Sequence, residues 1–405
     1  MRFYFRASPS SVWRVPGPSR FTITAFGLVQ ILGWGCSFYF PAVFAPAIVA
    51  ETGWPLPFVV GGTSLGLLVA GLISPAVGGI IARHGGRSIL AASALLFAVG
   101  LTLVGLASSL PLYLAGWIAI GLGMGTGLYD AVFATLGRMY GLAARAPITT
   151  LTLFGGFSST ICWPLSAWLL ELVGWRGAAL VYAALQIGLA LPLMLYATRQ
   201  GRAADAEPAA TEAPAPHREA QPAQRMTILV LLAAIMSLAA GIGAIVIVHM
   251  LILLQARGLD FAAAVAAGTL FGPAQVGARV IERLFGARYH PLWTLAAAVA
   301  LMAAGLLLFT AQAPAILAGI VVYAAGYGVS WIARGTVPLA LFGAADYPRL
   351  IGRLAFPSLI VQALAPSAGA ALIAAQGVNA TIAALIACAC LNVALTLWLV
   401  ALVRR

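Results

Sequence analysis

The sequence contains no lysine and few charges of any kind. Only 8% of its 405 residues are charged, against 62% hydrophobic. A soluble domain carries about 25% charged residues, and a soluble chain this apolar could not cover its surface. Acidic residues are scarcer still, 10 against 22 basic ones, giving a net charge of +12. That balance alone would suit a nucleic-acid partner, but the placement of the arginines excludes one. Arg2, Arg6, Arg14 and Arg20 precede the first long apolar run. Arg83 and Arg87 follow the second run, Arg138 and Arg145 the fourth, and Arg199, Arg202, Arg218 and Arg225 the sixth. Arg283 and Arg288 follow the eighth, Arg349 and Arg353 the tenth, and Arg404 and Arg405 end the chain. These are alternate connections; the other set holds only Arg176 and Arg257. The asymmetry is the positive-inside pattern of a multi-pass membrane protein with both termini in the cytoplasm, here of a bacterial-type inner membrane. The basic excess then meets anionic lipid headgroups.

Cysteine is sparse as well. Cys36, Cys162, Cys388 and Cys390 all fall inside apolar runs. They suit small packing residues and do not form a disulfide framework. No His/Cys/carboxylate cluster, nucleophile elbow or metal-ligand spacing occurs, so neither an enzyme nor a metal or other cofactor is expected. The absence of a phosphate-binding loop disfavours ATP drive. The run Gly121-Leu122-Gly123-Met124-Gly125-Thr126-Gly127 mimics a dinucleotide fingerprint, but no strand precedes it and it lies within an apolar helix. Small residues at that spacing let helices approach closely. The first apolar run is too long for a signal-peptide core.

What the chain has in abundance is spanning-length apolar sequence. Twelve runs are read, at about 21–48, 56–82, 88–107, 112–139, 148–170, 177–197, 227–254, 261–282, 292–311, 315–343, 354–375 and 380–402. They must be helices, because an open chain in lipid has to satisfy its backbone internally. Residues 199–225 break the series with an Ala-, Pro- and charge-rich stretch that reads as a linker. The expected organisation is a basic tail over 1–20, a six-helix bundle over 21–197, a linker over 198–226 and a second six-helix bundle over 227–405. The expected fold is an all-α membrane protein of two pseudo-symmetric six-helix bundles. Gly53-Trp54 before the second run and Gly258-Leu259 before the eighth are weak echoes between the halves. Paired halves about a central site suit a transporter.

The two-by-six layout and the turn from Gly78 through Arg83 and Gly85 to Arg87 resemble the major facilitator superfamily. In that family the turn is a cytoplasmic loop motif that latches to a neighbouring helix through a carboxylate; Ala82 stands in the place of that acidic residue. Gly174-Trp175-Arg176 is also similar to the family. Within it, Phe40-Pro41, Glu51-Thr52-Gly53-Trp54 and Gln275-Val276-Gly277-Ala278-Arg279 resemble the monocarboxylate and oxalate/formate transporter branch. That resemblance implies an anion-holding role for Arg279, with Gln275 in place of the branch's Asp. Trp117 occupies the position where many members carry an Arg, and Gly155-Gly156 to Trp163-Pro164 is similar to an incomplete antiporter signature.

A charge inside a membrane helix costs roughly 2.5–3.5 kcal/mol at the centre and is a functional candidate. Arg279 suits substrate binding, since a guanidinium grips a carboxylate through two parallel hydrogen bonds; its alternative is snorkelling to headgroups. Gln275, one turn earlier, shares its face. Asp130 and Arg334 suit coupling or gating, paired with each other or Asp130 with Arg279; a structural ion pair is the alternative. His249 suits a proton carrier or a hydrogen-bonded lining residue. Tyr39 and Trp34 in the first span, with Tyr323, Tyr327 and Trp331 in the tenth, suit a pocket wall, and Tyr39, Tyr327 and Trp331 join the substrate-binding set. Ser158, Ser159 and Thr160 suit a cavity lining or back-bonding to the helix.

The expected function is secondary active transport of a small organic carboxylate anion by alternating access. The expected partners are that solute, a coupling proton or sodium ion and the lipid bilayer, with the chain a monomer and no nucleic acid. The alternatives are efflux of an apolar, drug-like or metalloid compound, the last through Cys36 and Cys162, and a sensor or scaffold without transport.

Overall fold

Helices are the only regular structure among the described residues, which in this computed structural model are 19–199, 222–311 and 315–404. Most of the expected basic tail and of the expected linker, and Arg2, Arg6, Arg14, Arg202, Arg218 and Arg405, lie outside them. In chain order the helices are α1 Arg20–Gly35, α2 Phe40–Thr52, α3 Leu56–His84, α4 Arg87–Gly105 and α5 Leu110–Gly127. Next come α6 Tyr129–Tyr140, α7 Arg145–Gly156, α8 Ser158–Leu185 and α9 Leu191–Ala197. After the linker follow α10 Pro222–Gln255, α11 Phe261–Gly268, α12 Phe271–Phe285, α13 Pro291–Leu308, α14 Ala315–Phe342 and α15 Tyr347–Arg404. Among the described residues nine helical segments are long and apolar enough to cross a bilayer. Two of them, Leu110–Ala197 and Tyr347–Arg404, are far longer than the roughly 20 residues one crossing needs.

Several runs expected to be single helices are broken. The first bends at 36–39, where Ser37 Oγ donates to Gly33 O at 2.5 Å and Pro41 cannot donate a backbone bond. The fourth breaks at Leu128, after the glycine series. Gln30 Nε2 reaches across from α1 to satisfy Gly127 O at 2.7 Å, so the freed carbonyl is not left bare in an apolar interior. The fifth breaks at Phe157 after Gly155-Gly156, and the eighth at Thr269-Leu270. Where connections were expected, the chain kinks at Gly174 (φ 68°, ψ 173°) and Gly377 (φ 81°, ψ 174°), conformations open only to glycine at little cost, so α8 and α15 are each two helices meeting at a sharp turn. A π-helical turn at Gln186–Ala190 joins α8 to α9.

Three pairs of left-handed glycines recur at a nearly constant interval along the chain: Gly53 and Gly258, Gly141 and Gly343, Gly174 and Gly377. Each pair ends equivalent apolar runs in the two stretches. The buried core divides in the same way. One cluster runs from Ala25 to Ala197 and takes in only Leu339, Tyr347, Ile351 and Ala363 from the C-terminal stretch. Two others lie wholly between Ile228 and Leu399.

The arginine-bearing turns gather at one end. Arg138 Nη1 donates to Ala82 O, and Arg145 Nη2 to Gly286 O and Tyr289 O at 2.6 and 2.8 Å. Arg225 pairs with Asp346 at 2.6 Å, and Arg404 lies over the Trp293 ring. We call this end the basic face. Here the two stretches meet closely. A Cβ on Gly78 of α3 would collide with Pro348 O of α15 and sit 3.2 Å from Gly352 Cα. At the opposite face the strong polar contacts lie within the N-terminal stretch. Glu51 Oε1 accepts from Arg176 Nε at 2.8 Å and Glu51 Oε2 from Trp175 Nε1 at 2.6 Å. Arg176 Nη1 also donates to Gly105 O and Ala107 O.

Candidate functional site

The site begins with an inverted helix. On α12 the buried side chains are Phe271, Gln275 and Arg279, one turn apart, while Ile281 and Leu284 are more than 60% exposed. The polar stripe therefore faces protein and the apolar residues face outward, as expected where the solvent is lipid.

Arg279 is only 2% exposed, so it does not snorkel. Three neutral acceptors hold it: Nε donates to Gly328 O of α14 at 2.9 Å, Nη1 to Thr152 O of α7 at 2.6 Å, and Nη2 to Gln275 Oε1 at 3.0 Å. Two glycines make this possible. A Cβ on Gly328 would lie 2.7 Å from Gln275 O, and one on Gly156 would run into Arg279 Nη1. The Thr152 carbonyl belongs to the last turns of α7, the end of a helix that favours a cation. Among the described residues no carboxylate pairs with Arg279. The alternative pairing of Arg279 with Asp130 is overturned, because Asp130 is already engaged.

Asp130 and Arg334 form a parallel fork, Nε to Oδ1 at 2.8 Å and Nη2 to Oδ2 at 2.9 Å. Asp130 stands in the first turn of α6, just after the Leu128 break, where the helix end favours a carboxylate. Arg334 is 5% exposed and lies over the Trp331 ring at 5.6 Å. This pair joins α6 to α14 between the two stretches.

Aromatic rings fill the space around Arg279. Trp34 of α1, Tyr129 of α6 and Trp331 of α14 form a triangle with centroid separations of 5.2, 5.5 and 5.7 Å. Tyr327 continues it at 6.1 Å from Trp331, and Tyr323 stacks on Tyr327 at 6.4 Å. Tyr39, Tyr129 and Tyr327 lie in the field of Arg279. Tyr39 also meets the edge of Trp163 at 6.1 Å. Beyond it a cleft of about 460 Å³ opens between Ala42 and Val43 of α2 and Ser159, Thr160, Trp163 and Pro164 of α8.

The structure thus brings Arg279, Gln275, Tyr39, Tyr327 and Trp331 into one region, with Asp130 and Arg334 beside it. His249 is not part of that group: it shares a 2.9 Å hydrogen bond with Pro366 O on α15. Ser158 makes no back-bond; its hydroxyl is buried without a partner. Ser159 and Thr160 line the cleft. Gly78 serves the α3–α15 contact, Gly85 ends α3 at φ 80°, Arg83 reaches its own helix at Gly79 O, and Arg87 opens α4. Ala82 lacks a carboxylate, and its backbone carbonyl takes Arg138 instead. Cys36 Sγ accepts from Gln186 Nε2 at 3.2 Å and Cys162 Sγ faces Ile31 O at 3.5 Å.

Three contributors were not singled out from the residues alone: the Thr152 carbonyl, Tyr129, and Arg145 with its carbonyl partners. Only Tyr129, next to Asp130, carried a signal that could have found it.

Residues 26–291 match the family model described as Major Facilitator Superfamily. The chain belongs to the major facilitator superfamily. Its fold is that of membrane transporters, not of enzymes. The human organic anion transporter MFSD10 (TETRAN) superposes with a TM-score of 0.71 at 15% identity, covering 94% of this chain and 99% of that one. FucP in the outward conformation gives 0.70 at 13% identity, covering 94% and 99%. The proton:xylose symporter XylE bound to 6-bromo-6-deoxy-D-glucose gives 0.66 at 13%, covering 92% and 94%. No curated protein matches the chain in sequence. Likeness at these identities speaks for the superfamily fold and leaves the solute to the site.

Proposed function

We propose that this superfamily member moves a small organic carboxylate anion by alternating access, with Arg279 as the anion's anchor. The observation that carries the reading is a buried guanidinium bonded only to neutral acceptors, with no carboxylate paired to it among the described residues. A buried charge carries a desolvation cost of several kcal/mol that neutral acceptors offset only in part. A solute carboxylate would supply the missing charge. Thr152 O belongs to the N-terminal stretch and Gly328 O to the C-terminal one, so parting the stretches at the basic face would free Nη1 for an anion. A solute that replaces a protein carbonyl binds the two conformations differently, as any ligand-driven change requires.

The proposed scaffold has twelve crossings in two six-helix halves, 21–197 and 227–405, joined by the 198–226 linker. The paired left-handed glycines and the divided core support it. The positive-inside rule makes the basic face cytoplasmic, with both termini there. The described conformation is then the one closed to the cytoplasm. Reporter fusions at 205–220 and at both termini should read cytoplasm; a periplasmic signal from the linker would overturn the scaffold. Asp130, the carboxylate best placed inside a span, is the proposed coupling group, with Arg334 as its gate partner. Asp130→Asn should abolish pH-driven accumulation and preserve exchange; undiminished accumulation would remove Asp130 from that role.

The test of the anion reading is uptake into proteoliposomes from an organic-acid panel under imposed pH and sodium gradients, followed by Arg279→Lys. Lys keeps the charge and loses the planar fork. It should weaken apparent affinity at least about tenfold, roughly 1.4 kcal/mol. Unchanged affinity in Arg279→Lys and Arg279→Gln would leave Arg279 a latch between Thr152 and Gly328 and favour export of an apolar compound through the cleft. The engaged thiols of Cys36 and Cys162 argue against metalloid export.

A further inference from the structure

A second opening lies at the basic face, away from Arg279. It is a cleft of about 460 Å³ between the start of α4 and the end of α9, lined by Arg87, Pro192, Leu195, Tyr196 and Arg199. One helical face supplies four of these residues. Pro192, Leu195, Tyr196 and Arg199 follow the i, i+3, i+4, i+7 spacing that puts side chains on one side of a helix. Pro192, Tyr196 and Arg199 are exposed and Leu195 is half-buried, so this side looks outward. Arg87, the first residue of α4, borders the cleft from the neighbouring helix.

The two arginines have nothing to answer their charge. Among the described residues neither guanidinium has an ion pair, a hydrogen bond or a ring partner. Other arginines of this face are engaged: Arg138 with Ala82 O, Arg145 with Gly286 O and Tyr289 O, Arg225 with Asp346, and Arg283 with Thr150 Oγ1. The first turn of α4 holds no acidic residue, so the positive end of that helix adds to the same sign. Like charges bordering one cleft repel unless an anion lies between them. Arg349 and Arg353 also lack partners, but both are exposed and border neither cleft.

The rest of the surroundings is apolar. Tyr196 meets Phe21 of α1 edge-on at 4.8 Å, and the two are 51% and 50% exposed. Exposed rings at the ends of spanning helices are the belt that lies at the headgroup level of a bilayer. Further along α4, Leu95 and Val99 are exposed, and before α9 so are Ile187 and Leu189. The cations thus stand at one end of an open apolar surface carried by both helices. A small soluble anion has no use for that surface; an acyl chain does.

We propose that this cleft binds an anionic phospholipid of the cytoplasmic leaflet, its phosphate between Arg87 and Arg199 and its acyl chains along the outer surfaces of α4 and α9. Guanidinium groups grip phosphate oxygens through paired, charge-assisted hydrogen bonds. Basic pockets between spanning helices on the cytoplasmic side suit such headgroups. A zwitterionic lipid would bring its own ammonium against the two arginines. The choice of leaflet rests on the orientation proposed above; the site itself does not depend on Arg279 or on the transported solute.

The test is native mass spectrometry of the purified full-length chain in detergent, titrated with dioleoyl phosphatidylglycerol or dioleoyl phosphatidylcholine. The first phosphatidylglycerol should bind at least about tenfold more tightly than the first phosphatidylcholine, a difference of about 1.4 kcal/mol. Replacing both cations, Arg87→Gln with Arg199→Gln, should bring that ratio near unity. Arg87→Lys with Arg199→Lys keeps the charge and should keep most of the preference, which separates lost charge from a misfolded protein. Arg349→Gln with Arg353→Gln removes the same charge elsewhere on this face and should leave the ratio unchanged. Equal binding of the two lipids by the unaltered chain would overturn the proposal. So would an undiminished ratio in the Arg87/Arg199 glutamine pair, or an equal loss in the Arg349/Arg353 pair. Lysine variants as weak as the glutamine ones would overturn charge as the cause. Displacement of phosphatidylglycerol by equimolar glycerol 3-phosphate would make the ligand a soluble phosphate and overturn the lipid assignment.

Discussion

The two faces of this protein hold their arginines by the same bonds between different partners. At the basic face and just beneath it, contacts run between the N- and C-terminal stretches: Asp130 to Arg334, Arg279 to Thr152, Arg145 to Gly286 and Tyr289, and Gly78 against Pro348 and Gly352. At the opposite face the Glu51–Trp175–Arg176 cluster and its carbonyls at Gly105 and Ala107 all belong to the N-terminal stretch. The first set ties one stretch to the other and must break whenever that face opens. The second set can persist through such a motion, because it fixes helices within one stretch. On the proposed alternating-access reading, similar guanidinium bonds would then serve a gate at one end and a brace at the other. Topology decides which, since the bond types are alike.

The largest difference should appear on breaking the buried fork. Arg334→Ala leaves Asp130 partly buried and unpaired, and Asp130→Ala leaves Arg334 buried and unpaired. Such losses typically cost about 3–5 kcal/mol, whereas replacing both partners by apolar residues is often close to neutral. Thermal unfolding of the single and double variants in detergent should show two deep losses and a substantial recovery. Additive losses in the double variant would mean the pair is not coupled as the fork implies.

Next is the close approach of α3 and α15. Gly78→Val places a side chain against Pro348 O and Gly352, an overpacking of about 1–3 kcal/mol. That penalty falls on the conformation closed at the basic face. Spin labels at positions 83 and 349 should move apart in the variant. An unchanged distance distribution would sink the assignment of this contact to the gate.

A smaller effect is expected at the brace. The Glu51 and Arg176 side chains are 51% and 35% exposed, so solvent screens their pair and its contribution is about 0–1 kcal/mol. Glu51→Gln should lower stability slightly and leave the 83–349 distance unchanged. A shift in that distance would erase the division between gate and brace.

The smallest expected effect is a pH dependence at the basic face. His290 Nδ1 accepts the Leu292 N–H at the start of α13, beside the turn that Arg145 grips. Burial, and after it the Arg145 charge, hold His290 below the ordinary imidazole value of 6.5. The unfolded chain then binds this proton more readily, so stability rises with pH. The contribution is complete above the ordinary imidazole value and is lost as pH falls through the lowered one. His290→Asn retains a capping acceptor that cannot titrate. It should flatten the stability profile across that window; an unaltered profile would assign the dependence elsewhere.

Much of this was legible in the residues because lipid imposes it. A spanning helix must be long and apolar, and its flanking arginines sort by side, so the helical membrane class followed from composition and spacing. Buried charge is rare enough in such segments that Asp130, Arg279 and Arg334 stood out at once. The breaks at Leu128 and Phe157 did not, because an apolar run reads the same whether its backbone is straight or interrupted by one residue. Glycine series marked those regions as adaptable without saying where the chain would turn.

The partners of the charges were beyond the sequence for a different reason. Asp130 had two arginines within plausible reach, and only the packing of α6 against α14 paired it with Arg334 rather than Arg279. Arg279 found its acceptors in the carbonyls of Thr152 and Gly328, and every residue carries a carbonyl, so no side-chain pattern could announce them. The sequence by itself determined that this is a helical membrane chain with a few costly charges inside it. The tertiary structure decided which of those charges is paired with a carboxylate and which is held by neutral acceptors alone, because that depends on which helix faces meet, and facing is a property of packing between segments far apart in the chain.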